Sequence, residues 1–131
     1  MPYSSLSNRL ELPINGIQAY VINLASRSDR WLAADRIARQ LKLNVIRVEA
    51  VTPSDFGNQS VPYLDKTIFA IWSSHKKALD AFIGSGMEFA LILEDDFKPR
   101  RNFKLKTLEE CRDLRFDFCQ IGFLKESIWE R

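Results

Sequence analysis

The chain has 131 residues, with 19 Lys and Arg against 17 Asp and Glu, a formal net charge of +2. At 46% hydrophobic and 27% charged, it has the composition of one globular domain and not of a disordered tail, and its length allows about 70% of the unfolded surface to be buried. The near-neutral balance argues against a dedicated nucleic-acid binder, the longest apolar run of five residues against a membrane span, and the two cysteines, Cys111 and Cys119, against a disulfide framework or a cysteine-built zinc site.

Residues 1–16 are polar, with Ser, Asn and Pro, and end in the turn pair Asn15-Gly16. They are expected to form an N-terminal arm, with residues 17–131 as the domain. They lack the apolar core of a signal peptide, so the expected compartment is a reducing cytoplasm. Gln18 to Leu24 is nearly continuously apolar and predicts a strand covered on both faces. Ser26 and Asp29 have capping-box spacing. Behind them Trp31, Ala34, Ile37, Ala38 and Leu41 form one helical stripe, with Arg27, Arg30, Arg36 and Arg39 off it. A second strand is expected from Asn44 to Val51, which completes the strand–helix–strand unit of a parallel sheet.

Thr52 to Asp65 reads as a loop. From Thr67 a second helix is expected, with Ile68, Ile71, Trp72, His75, Leu79, Phe82 and Ile83 on one face and Gly84 and Gly86 at its end. Phe89 to Leu93 reads as a central buried strand running into Glu94-Asp95-Asp96. A basic stretch (Lys98, Arg100, Arg101, Lys104, Lys106) follows. Then come a third helix over Thr107–Leu114, with Thr107 and Glu110 as a capping box, and a last strand over Phe118–Phe123. The order β-α-β-loop-α-β-α-β predicts an α/β three-layer sandwich with a mostly parallel sheet.

The acidic triplet is the most informative segment. In open α/β sheets ligands gather beyond the carboxyl ends of the strands, where this triplet falls. Strand alternation would put Glu94 and Asp96 on one side and Asp95 on the other. Three adjacent carboxylates repel one another and need a positive partner. A hard divalent cation such as Mn²⁺ or Mg²⁺ is one solution, and pairing with Lys98, Arg100 or Arg101 in a plain turn is the other. The stretch Asn23-Leu24-Ala25-Ser26-Arg27-Ser28-Asp29-Arg30 leaves the first strand at the same edge. There helix N–H groups and the forks of Arg27 and Arg30 suit a phosphate, or simply cap a helix beside exposed arginines. His75 reads as a core residue, or as a brace for the loop carrying the acids. The basic stretch suits an anionic acceptor, an anionic membrane surface, or charge balance. A phosphoacceptor domain would also need acids after the first strand, where Asn23 stands.

Together these segments resemble the glycosyltransferase family 25 domain of lipooligosaccharide and collagen galactosyltransferases. The stretch Tyr20 to Arg30 is similar to that family's first strand and its arginine loop. Val48-Glu49-Ala50-Val51 resembles its second strand, and Ser74-His75 its Ser-His pair inside a helix. Leu91 to Asp96 resembles its apolar strand and EDD motif, and Asp117 to Gly122 the strand after it. The resemblance implies a GT-A-like fold (a Rossmann-like architecture). It implies metal-assisted transfer of a sugar, often galactose, from a UDP-sugar to a saccharide hydroxyl in lipopolysaccharide-type surface-glycan biosynthesis. It also implies Asp96 as metal ligand with Glu94, and a donor site of Asn23, Leu24, Arg27, Arg30, Glu94 and Asp95, with His75 in support. Domains of that family extend further, so a truncated form without the acceptor half is expected, and no residue takes the part of general base. Thr52 and Pro53 replace the family's usual Asp-Gly. The alternative expectation is an inactive remnant acting by self-association, with apolar residues such as Ile128 and Trp129 needing cover.

Overall fold

A computed structural model describes residues 16–61, 65–101, 103–114 and 116–118. Strand β1 (Ile17–Asn23) leads through helix α1 (Ser28–Gln40) to β2 (Val45–Glu49). A 3-10 turn (Pro53–Phe56) and helix α2 (Lys66–Ser85) lead to β3 (Phe89–Glu94), and helix α3 (Leu105–Arg112) follows. The three strands form a parallel sheet in the order β2-β1-β3, with Ala19 level with Val45 on one side and Leu91 on the other.

The central strand is therefore β1, all seven of whose residues are buried. Its apolar run has the stated cause, cover on both faces. Odd-numbered Ile17 and Ala19 pack with Ala38 of α1 and Leu108 of α3. Even-numbered Tyr20 and Ile22 pack with Val48 and with Ala78 of α2. Helices thus cover both faces of a three-stranded parallel sheet, an α/β arrangement compatible with a Rossmann-like fold.

Three expectations are corrected. Within the described sheet the middle strand is β1, whereas Phe89–Leu93 of β3 pairs with β1 alone among the described residues and is only partly buried. An apolar run reports cover on its faces and leaves its lateral neighbours open. The strand expected over Phe118–Phe123 lies outside the described residues apart from exposed Phe118, as do residues 1–15, Cys119, Ile128 and Trp129.

The capping boxes also moved. Helix α1 starts at Ser28 with Arg27 as its cap residue, and Asp29 accepts from the Arg27 side chain instead of pairing with Ser26. Helix α3 starts at Leu105, which leaves Thr107 inside it. A capping box does form where none was expected, between Thr52 and Asp55 at the 3-10 turn.

The third correction concerns α2. Asp65 caps its start by accepting from the Ile68 N–H at 2.9 Å, and Gly86, at φ 72°, ends it in the left-handed conformation that glycine adopts without strain. Its inward residues are Ala70, Ser74 and Ala78, with Phe82 beside them. The expected apolar face is mostly turned outward: Ile68, Ile71, Trp72, Leu79 and Ile83 are exposed, Ile83 to 76%. Small residues four apart let the helix lie close to the sheet, and the Ser74 hydroxyl fixes that face by accepting from the Val51 N–H at 2.9 Å while donating to Ala70 O at 2.8 Å. Phe69 links Trp72 to Phe56, with ring centroids 5.7 and 5.0 Å apart, and ties α2 to the 3-10 turn.

Candidate functional site

The carboxyl ends of the strands carry the polar side chains. Asn23 closes β1 and is 1% exposed, one of the few buried polar residues. A buried amide must satisfy its donors and acceptor. Here Nδ2 donates to Asp95 Oδ2 at 2.7 Å and to the Arg27 carbonyl at 3.0 Å. Its Oδ1 accepts from Arg47 Nε at 3.0 Å and Nη2 at 2.8 Å. These partners assign the amide's orientation. Asn23 thus joins all three strand ends and the loop into α1.

Alternation places the acids. Glu94, the last residue of β3, shares the α2 face with Ile92, and its Oε1 lies 3.3 Å from His75 Nε2. Asp95 emerges on the α1 face. Its carboxylate is only 9% exposed and meets Arg30 Nη2 at 2.6 Å as well as Asn23. The chain then turns, with the Phe97 N–H donating to Glu94 O, so alternation stops. Asp96 accordingly falls on the Asp95 side, 3.5 Å from the same Arg30 and 64% exposed, and does not rejoin Glu94. The positive partner shown for Asp95 and Asp96 is Arg30, from the first turn of α1 and not from the basic stretch that follows the triplet in sequence.

In the loop, Leu24 and Arg27 are exposed. The Arg27 N–H donates to Leu24 O at 2.9 Å. Its guanidinium holds Asp29 through two bonds of 2.9 Å, and chiefly that contact lowers the Asp29 pKa to about 2 and raises that of Arg27. Arg27 and Arg30 are therefore each paired with carboxylates.

Donor chemistry decides how a divalent ion fits. Asp95 is committed to Arg30 and Asn23, and Glu94 faces α2. Among the described residues no three His, Cys, Asp or Glu side chains converge on one point. Asp96 remains, an exposed hard oxygen donor whose ion pair with Arg30 is long. A Mg²⁺-type site commonly has one or two protein carboxylates, with substrate phosphates completing the shell. Asp96 fits that role as a single anchor, and the structure does not bring Glu94 to it.

An open hollow of about 530 Å³ lies elsewhere, lined by Phe89, Arg112, Asp113, Leu114, Phe116 and Asp117. Phe89 begins β3, so the hollow is at the amino end, away from every polar group just described. The carboxyl edge is the better candidate, because ligands of open parallel sheets bind there and the polar groups converge there. Compared with known protein families, curated proteins and solved structures, the chain matches none. Among the described residues, no helix is long and apolar enough to cross a membrane.

Arg47 and Trp31 are the residues that sequence reading missed at this edge. Their signal was Arg47, a charged side chain in the middle of the strand Val45-Ile46-Arg47-Val48-Glu49, two residues after inward Val45.

Proposed function

We propose that the chain is a nucleotide-sugar-binding domain of the family 25 glycosyltransferase type, with a GT-A-like fold. It would transfer a sugar, commonly galactose, from a UDP-sugar to a saccharide hydroxyl in surface-glycan assembly on the cytoplasmic side. One observation carries the reading. The strand order reverses between β1 and β3, and at that switch point the loop after β1 meets the acids after β3 through the 2.7 Å Asn23–Asp95 bond.

The roles follow from the contacts. Asp95 holds the two loops together and is structural as well as donor-facing. Asp96 reaches solvent and would anchor Mn²⁺ or Mg²⁺, with Arg30 released toward the phosphates. Arg27 and Arg30 supply forked donors beside them. When bound, such an ion neutralises charge on a departing diphosphate as a Lewis acid. Glu94 and His75 border the edge from the α2 side.

The test is thermal melting with UDP and Mn²⁺ for wild type and Asp96→Ala. Wild type should gain about 2.7 kcal/mol at a hundredfold excess over Kd, and Asp96→Ala should lose most of that gain while melting normally alone. An unshifted wild-type curve rejects the proposal.

A second reading, a module acting through self-association, is favoured by the exposed apolar face of α2. Concentration-dependent mass with no UDP response would select it.

A further inference from the structure

Three arginines belong to the Asn23 edge, and their guanidinium groups differ in what they hold. Arg27 is paired with Asp29, and Arg30 with Asp95 and Asp96. Arg47 has no ion pair among the described residues. Its Nε and Nη2 both donate to one neutral oxygen, Asn23 Oδ1. Its guanidinium carbon lies 5.8 Å from the centre of the Trp31 ring. A long, exposed side chain is thus held at two points, by a buried amide and an aromatic face, without neutralisation of its charge.

That arrangement is directional. A guanidinium has five N–H donors in a flat fork. With Nε and Nη2 turned to Asn23, the end-on edge formed by Nη1 and the outer N–H of Nη2 has no partner among the described residues. An end-on edge binds two oxygens of a phosphate or carboxylate at once. Asn23 also couples this edge to the acids, since its other amide atom holds Asp95.

We propose that Arg47, seated on Trp31 and Asn23, forms an oxyanion subsite at the β2 side of the carboxyl edge, for a phosphate or carboxylate group of the ligand. The subsite uses only this chain's fixed charge and needs no metal. It lies beside the position proposed for the divalent ion, so a diphosphate on Asp96 and a group on Arg47 are neighbours across Asn23. The inference rests on this being the ligand edge, but not on the ligand being a UDP-sugar. Two sources share the chemistry: the diphosphate of a nucleotide donor, and the anionic group of an acidic sugar.

The experiment titrates the full chain, without metal, with inorganic pyrophosphate, UDP and galacturonate, by calorimetry and by the Arg47 Nε–H resonance. Wild type, Arg47→Met and Arg47→Lys are compared, with circular dichroism confirming that each is folded. Wild type should bind pyrophosphate with a shift of the Arg47 resonance. Arg47→Met should weaken binding about tenfold or more, and Arg47→Lys, which keeps charge but not the fork, should recover only part. An equal loss for UDP assigns the group to a donor diphosphate, and loss for galacturonate but not for UDP assigns it to an acidic sugar. Equal binding of all three anions by wild type and Arg47→Met overturns the subsite, as does binding of none by wild type. Failure of the Mn²⁺-dependent UDP response with metal-free anion binding intact would reject the glycosyltransferase reading and leave the subsite standing.

Discussion

Asn23 donates to Asp95 across 2.7 Å and so ties the end of β1 to the end of β3, residues 72 positions apart in the chain. The two acids after Glu94 consequently have different work. Asp95 is 9% exposed and bridges Asn23 to Arg30, whereas Asp96 is 64% exposed. Asp95→Ala strips partners from a buried amide and a half-buried guanidinium, and should destabilise the fold by about 2–3 kcal/mol. Asp96→Ala should change stability by under about 0.5 kcal/mol. Urea melts of the two variants check the contrast.

The orientation of α2 gives a second test. Ala78 is fully buried against Tyr20, Ile22 and Val48, so Ala78→Leu should overpack the core and cost about 1–3 kcal/mol. Ile83→Gln, on the outward face, should stay within about 0.5 kcal/mol. The opposite ranking would mean that the apolar stripe, not the Ala70–Ser74–Ala78 face, meets the sheet.

Helix α1 ends with a left-handed residue that is not glycine. Lys42 has φ 57°, the Leu43 N–H donates to Ala38 O, and the Lys42 N–H donates to Arg39 O. That is the Schellman pattern, where glycine is the usual residue because a Cβ is strained. Lys42→Gly should therefore stabilise the fold by about 0.5–1 kcal/mol, read from the denaturation midpoint at unchanged slope.

Tyr20 is 1% exposed, and its hydroxyl has no hydrogen-bond partner among the described residues. Burying an unpaired hydroxyl is unfavourable. Tyr20→Phe keeps the ring between α2 and the sheet and should stabilise the fold by about 1 kcal/mol. A loss of that size would point to a partner for the hydroxyl.

Acid titration tests the Arg27–Asp29 pair. The Arg27 contact lowers the Asp29 pKa from 3.8 to about 2. A depressed carboxyl pKa contributes stability that is fully present above the unfolded value, near pH 4, and is lost as pH falls toward 2. Carboxyl-carbon resonances should show Asp29 titrating near 2, and Arg27→Gln should return it toward 3.8.

Much of the fold was legible because local patterns report local facts. The apolar run of β1 reported two covered faces, and the loops of residues 23–30 and 94–96 were placed at one edge by parallel order alone. What could not be read was which neighbour each pattern would meet. The stripe of α2 announced a helix, but the choice between a bulky face and a flat Ala–Ser–Ala face is made by the sheet. The triplet announced a need for positive charge, yet Arg30, 65 positions before Asp95, became its partner through the fold. Arg47 gave only the weak signal of a charge flanked by Ile46 and Val48, because its anchoring by Asn23 and Trp31 exists only after β2 pairs with β1.

The most direct measurement is an amide NMR titration with UDP and substoichiometric Mn²⁺, whose unpaired electrons broaden nearby resonances. An ion anchored at Asp96 should give broadening centred on Asp95, Asp96 and Phe97, spreading to Leu24 and the Asn23 side-chain amide, and requiring UDP. Broadening centred at the amino end of β3 around Phe89, or none with UDP in excess, would contradict that anchoring.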